Sequence, residues 1–146
     1  AIIAAIITAI GTIVAAKFND IAQILTKSYR DISGDWQITS KRVEDGSWVG
    51  EYDLKLKQTG ARVKGEMRAV NIEEGRKKHS YTWTGKVVGE YLVYDCVCTT
   101  PRTFMISNGM LHLHAAGEIM TGHFIANRGS DKENRTWLGS VEGKRK

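Results

Sequence analysis

Part of this chain is written twice. Leu54-x-Leu56-x-x-x-Gly60-x-x-Val63-x-Gly65-x-Met67 returns without a gap as Leu111-x-Leu113-x-x-x-Gly117-x-x-Met120-x-Gly122-x-Phe124, 57 residues later. Thr82-Trp83-x-Gly85-x-Val87-x-Gly89 returns as Thr136-Trp137-x-Gly139-x-Val141-x-Gly143, 54 residues later. A fainter echo pairs Gly34-Asp35-Trp36-x-Ile38 with Gly89-Glu90-Tyr91-x-Val93. Two matches in the same order define a duplicated unit, roughly 34–88 and 89–143. Within the units Tyr52, Leu54 and Leu56 alternate with Asp53, Lys55 and Lys57, and similar alternation recurs at 63–69, 81–87, 91–97, 111–113 and 120–126. Period two, punctuated by glycine-bearing turns, predicts short antiparallel strands. Pro101 lies in Thr99-Thr100-Pro101-Arg102, a loop. Four strands per unit give eight in up-and-down order, and closing that sheet into a barrel removes its exposed edges. The expected fold is all-β, an eight-stranded up-and-down antiparallel barrel.

The repeat also assigns faces. Its matched apolar and glycine positions point inward. Lys55, Lys57, Lys64 and Glu66 point outward, as do their counterparts His112, His114, Thr121 and His123. Glycines at 65 and 122 suit bends where a small barrel turns a corner. An eight-stranded barrel fills its interior or holds one small ligand, so a site belongs in the lumen or its mouth. Extending the Trp83 register backwards puts Tyr81 and His79 on the inner side. The same step from Trp137 turns Arg135 inward, and continuing from Phe124 and Ala126 brings Arg128 inward near a rim. The fainter echo places Tyr91, Val93 and Asp95 inside, leaving Leu92, Tyr94 and Cys96 outside as a contact surface. Arginine offers a planar fork for phosphate, and Tyr or Trp can stack on a base. His79, Tyr81, Trp83, Asp95, Arg128 and Arg135 are therefore the candidate ligand-binding set, suited to an anionic nucleotide. The competing account pairs the arginines with Asp or Glu at the rim.

Other constellations are bland. His112-x-His114 with His123 has metal-like spacing on one strand face, but lysines hold the equivalents of the first two, which points to a solvated surface. Cys96-x-Cys98 lacks redox Cys-x-x-Cys spacing and suits two packed thiols. No nucleophile elbow, P-loop or His-Glu-x-x-His is present, so no enzyme chemistry and no metal are expected. Glu73-Glu74 runs straight into Gly75-Arg76-Lys77-Lys78-His79 and reads as a hairpin tip. That basic run and Lys144-Arg145-Lys146 read as loop and tail charges, with anionic headgroups or nucleic acid as the functional alternative.

The 146 residues carry a net charge of +5, yet Ala1–Ala16 contain no charge at all. Sixteen apolar residues fall slightly short of the ~20 that span a bilayer as helix, and the run opens on Ala rather than Met. The expectation is a transmembrane segment at 1–17 that continues upstream; a secretory signal core is the rival. Phe18, Ile21, Ala22, Leu25, Tyr29 and Ile32 follow at helical spacing, predicting a short amphipathic linker helix over 18–33. Lys17, Lys27 and Arg30 beside the span favour a cytoplasmic placement of the 34–146 barrel, and free thiols suit that compartment.

A membrane segment leading through a short linker into Ser33-Gly34-Asp35-Trp36, and then a small barrel of Leu-x-Leu-x-Gln-x-Gly and Val-x-Gly-x-Met type, resembles one family. It looks like the two-transmembrane β-barrel effectors of bacterial CBASS antiphage systems. The resemblance covers almost the whole chain and implies an inner-membrane location. It further implies a cyclic dinucleotide bound by the barrel, self-association into a homo-oligomer, and membrane disruption that kills the infected cell. Neither DNA nor RNA is expected as a partner. The alternative is a calycin-like carrier of a lipid or other hydrophobic molecule in an apolar lumen; a purely structural membrane-anchored module is a third class.

Overall fold

The computed structural model of the chain describes residues 29–114, 116–129 and 135–146. The expected span at 1–17 and most of the expected linker helix lie outside the described residues, and 29–33 are irregular. Among the described residues no helix is long and apolar enough to cross a membrane.

Eight strands follow one another: β1 (Gly34–Arg42), β2 (Trp48–Thr59), β3 (Arg62–Ile72), β4 (Ser80–Val88), β5 (Tyr91–Cys98), β6 (Phe104–Leu113), β7 (Ile119–Gly129) and β8 (Arg135–Arg145). Each pairs antiparallel with the next, and β1 returns to β8 with Trp36 opposite Arg145, closing the barrel. Alternation is the cause. Leu54, Leu56, Leu111 and Leu113 are all at most 2% exposed, while Lys55 and Lys57 between them lie in water. Two of the turns have the loop chemistry that a tight hairpin requires. Gly60-Ala61 and Gly89-Glu90 put glycine first, at φ 58° and 60°, as expected for a two-residue connection with a left-handed first position.

The two units match face for face but not register for register. Leu54 lies opposite Met67, whereas its counterpart Leu111 lies opposite Gly122. This two-residue slide keeps every side chain on its face, and the connections absorb it: residues 60–61 in the first unit, 114–118 in the second.

One strand departs from expectation. In β5 the inward residues are Leu92, Tyr94, Cys96 and Cys98, all buried, while Tyr91, Val93, Asp95 and Val97 face out. Trp36 sits opposite Leu54 and Leu92 opposite Leu111, so the first strands of the two units align at an offset of 56. The fainter echo was one residue out, and a one-residue error reverses a whole strand. Asp95 is consequently an outer-wall residue opposite Asn108, and Leu92, Tyr94 and Cys96 belong to the core rather than to a contact surface.

The interior is packed. Large side chains lie over inward glycines on neighbouring strands: Phe124 covers Gly139, where an added Cβ would stand 2.2 Å from the ring, and a Cβ on Gly122 would stand 2.0 Å from the Met110 carbonyl oxygen. These glycines admit close approach of strand and ring, which the corner-turning role anticipated only in part.

The ends of the barrel differ. At the proximal end, where the chain enters, residues 29–33 fold over the opening and Ile32 is fully buried. Arg145 fastens them, donating from Nη1 to the Ser33 carbonyl (2.6 Å), from Nη2 to that of Asp31 (2.8 Å) and from Nε to that of Gly117 (3.1 Å). Its guanidinium carbon also lies 4.8 Å above the Trp36 ring. Gln58 accepts from the Ile32 amide and donates to the Arg30 carbonyl. Arg30 Nη1 in turn donates to the carbonyls of Leu113 and His114. Arg145 is therefore a structural strand-end residue rather than a tail charge.

Candidate functional site

The distal end is built from strand ends of inward parity. His79 precedes β4, Tyr81 and Trp83 follow along it, Arg128 ends the inward row of β7 and Arg135 begins that of β8. Parity carries the last two to the rim, where there is no further wall to bury them, and both are exposed. They lie directly opposite each other in the β7–β8 ladder. Arg128 also bears electrostatically on His79.

Below the rim the lumen is a stack of rings. His79 and Tyr81 meet edge to face at 6.5 Å, and Tyr81 meets Tyr52 in the same way at 6.1 Å. Deeper, Trp83 stacks on Tyr94 with ring centres 3.9 Å apart and planes 3° from parallel, and Phe124 meets Trp137 edge-on at 5.0 Å. The space left among Ser40, Tyr52, Tyr81, Trp83, Tyr94 and Met105 is about 50 Å³. That is room for a water or two, whose share of liquid volume is ~30 Å³ each. A ligand of nucleotide size needs a site on the order of 300 Å³ or more, so any such ligand sits on the mouth and not inside.

Among the described residues, buried His79 Nδ1 has no hydrogen-bond partner, and buried Trp83 Nε1 has only the Cys96 sulfur. The ladder neighbour of Trp83 is Cys96, whose sulfur is at best a weak acceptor. Orphaned polar atoms are rare in folded proteins and call for an explanation. Burial, helped by Arg128 and Lys77, holds the His79 pKa below its ordinary value, favouring a neutral ring that can donate or accept. Burial pushes the Tyr81 and Tyr94 phenols up, so both stay protonated, and pushes the Cys96 thiol to about 12, which leaves it unfit as a nucleophile near neutrality.

The β3–β4 connection borders the mouth. Arg42 grips Glu73 through both terminal nitrogens (3.2 and 2.9 Å), and Arg76 Nε lies 3.0 Å from the same carboxylate. The Arg42 bond is the main reason the Glu73 carboxyl sits below its usual range. Arg76 also acts on Tyr52 and Tyr81. By sequence alone Arg76 is a solvated tip charge, and nothing in the alternation singles out Tyr52 for the site.

Of the expected set, the fold brings His79, Tyr81, Trp83, Arg128 and Arg135 to one end and leaves Asp95 on the outer wall. His112, His114 and His123 face out as expected; the first two rings lie 5.0 Å apart, and His114 Nε2 is 2.9 Å from the Thr121 hydroxyl. Among the described residues no three His, Cys, Asp or Glu side chains form a metal-binding group. A wider depression of about 580 Å³ crosses the outer wall past Lys41, His112, His123 and Glu142, but none of these side chains is buried and both charge signs are present. The mouth, with its orphaned His79 nitrogen and ring column, is the stronger site. Comparison of the chain with protein families and with curated proteins finds no match.

Proposed function

We propose that the barrel is a receptor whose distal mouth takes an anionic, ring-bearing ligand of the cyclic dinucleotide class. We further propose that the chain is a membrane-anchored effector of bacterial antiphage defence rather than an enzyme. The observation that carries the reading is the exposed Arg128 at the inward end of β7 beside a neutral His79 with an orphaned nitrogen and the Tyr81 ring. A phosphate would take the planar fork of Arg128, and a base would stack at the ring edges. In this reading residues 1–17 hold the chain in the inner membrane, the barrel lies in the cytoplasm, and ligand-bound copies assemble and breach the bilayer. A ligand drives such a change only through its preference for the assembled state. The carrier alternative is weakened by the lumen, because about 50 Å³ holds no lipid chain.

The test is a thermal-shift screen of the full chain in detergent against cyclic dinucleotides. Saturable stabilisation by at least one of them, lost in Arg128→Ala, supports the reading. No stabilisation by any of them at high micromolar concentration overturns it.

A further inference from the structure

The outer walls of the two units differ in chemistry as sharply as their inner faces agree. On β1–β4 the outward positions include Lys55, Lys57, Lys64, Arg68 and Lys86, all exposed. On β5–β8 exposed apolar residues stand among polar ones such as Asp95, Asn108 and His123. Val93 pairs with Met110 and Val97 with Ile106 in the β5–β6 ladder, and Ile125 with Leu138 in the β7–β8 ladder. These six residues are 38–53% exposed, and Phe104, beside Ile106 on β6, is 63% exposed. Between Met110 and Ile125 lies a shallow groove of about 390 Å³ over Asn108 and Gly109.

We infer that this β5–β8 wall is the interface through which one copy of the chain packs against a second copy. Size is the first argument. The exposed fractions of these residues correspond to a surface on the order of 600 Å², at the top of the ~300–600 Å² usual for a monomer's largest patch. A standard interface buries ~800 Å² per partner, so the wall with a polar fringe is enough. Charge is the second. Two copies of a chain at +5 repel, and on the β1–β4 wall the exposed cations Lys55, Lys57, Lys64, Arg68 and Lys86 outnumber the exposed acids Asp35, Asp53 and Glu66. On the β5–β8 wall Glu142 is paired with Lys144 at 3.2 Å, and Asp95 adds a negative charge. It is the side on which like copies approach at least electrostatic cost. Direction is the third. The wall runs lengthwise between the barrel's ends, so side-by-side copies keep both chain-entry ends at one level, as tethering to a single membrane requires. In that last respect the inference rests on the receptor reading and names the surface for its assembly step.

The test uses the full chain in detergent. Ile125→Cys should form disulfide-linked dimers under mild oxidation, Lys64→Cys on the charged wall should not, and the native thiols are buried. Adding Met110→Lys and Leu138→Lys to Ile125→Cys should cut the linked fraction at least about tenfold, since each buries an unpaired charge. The melting temperature should stay unchanged, because both side chains are exposed. Absence of linking through Ile125→Cys, or linking that survives both lysines, overturns the inference. Ligand stabilisation of the double-lysine variant reports on the receptor reading alone. A normal ligand shift without linking through Ile125→Cys sinks the wall and spares the receptor, and linking without any ligand shift does the reverse.

Discussion

Replacing Arg145 by alanine unfastens residues 29–33 from the proximal end of the barrel. The side chain donates three hydrogen bonds to main-chain carbonyls, those of Asp31, Ser33 and Gly117, and lies over Trp36. A hydrogen bond from a charged donor contributes ~1.5–3 kcal/mol when well buried, so about 1 kcal/mol each is fair for a half-exposed group. The cation–π contact adds ~0.5 kcal/mol at such a site. The expected loss is therefore about 3.5 kcal/mol. For a domain of this size ~3–5 °C of melting temperature accompanies each kcal/mol, so thermal unfolding should fall by roughly 10 °C or more. Amide exchange at Ile32 and Ser33 should quicken before the strands are affected, because those residues are held by side-chain clamps rather than by a ladder. Arg145→Lys should recover at most about a third, since an ammonium lacks the planar fork that reaches three carbonyls at once. A fall below about 3 °C with exchange at residues 32–33 unaltered would refute the idea that Arg145 couples the entering chain to the barrel.

Other outcomes follow from the same geometry. Gly122→Ala should destabilise by about 2 kcal/mol or more in urea unfolding, because its Cβ would meet the Met110 carbonyl oxygen and backbone must move. Leu111→Ala, at a fully buried position, should cost ~2–5 kcal/mol in the same assay. Asp95→Ala should change stability by less than about 0.5 kcal/mol and leave ligand response intact, being on the outer wall. The lowered pKa of His79 means that the unfolded chain binds this proton more readily. Its contribution is complete above the ordinary histidine value of 6.5 and is lost as pH falls towards the folded value. His79→Gln should therefore flatten the decline in melting temperature below pH 6.5; an unaltered profile would refute the assignment.

Much of the architecture was legible because duplication and alternation are independent signals that agreed. Strand number, order, closure and the inward faces of β2, β3, β4, β7 and β8 followed from the matched Leu, Val, Trp and Gly positions. The error in β5 came from the weakest echo. Tyr91 and Val93 look as fit for a core as Leu92 and Tyr94, and only the ladder, with Leu92 opposite Leu111, decides between them. Exposed apolar residues were hidden for the same reason: on β5 both parities are hydrophobic. Parity correctly assigned Arg128 and Arg135 to the inward rows, but it says nothing of height along the barrel, and both stand at the rim. The filled lumen was not readable either, since it depends on how Trp83, Tyr94, Phe124 and Trp137 turn against one another and over glycines contributed by neighbouring strands. Arg145 acquires its role only on closure, when β8 meets β1 and the entering segment comes within reach.

Residue-resolved NMR titration of the full chain in micelles with the best-stabilising cyclic dinucleotide addresses the receptor claim most directly. Saturable shifts should concentrate on His79, Tyr81, Arg128 and the Arg135 end of β8, with the proximal clamp and the Gly60-Ala61 turn undisturbed. Shifts confined to the outer wall around His112 and Glu142, or no saturable shifts at all, would contradict it.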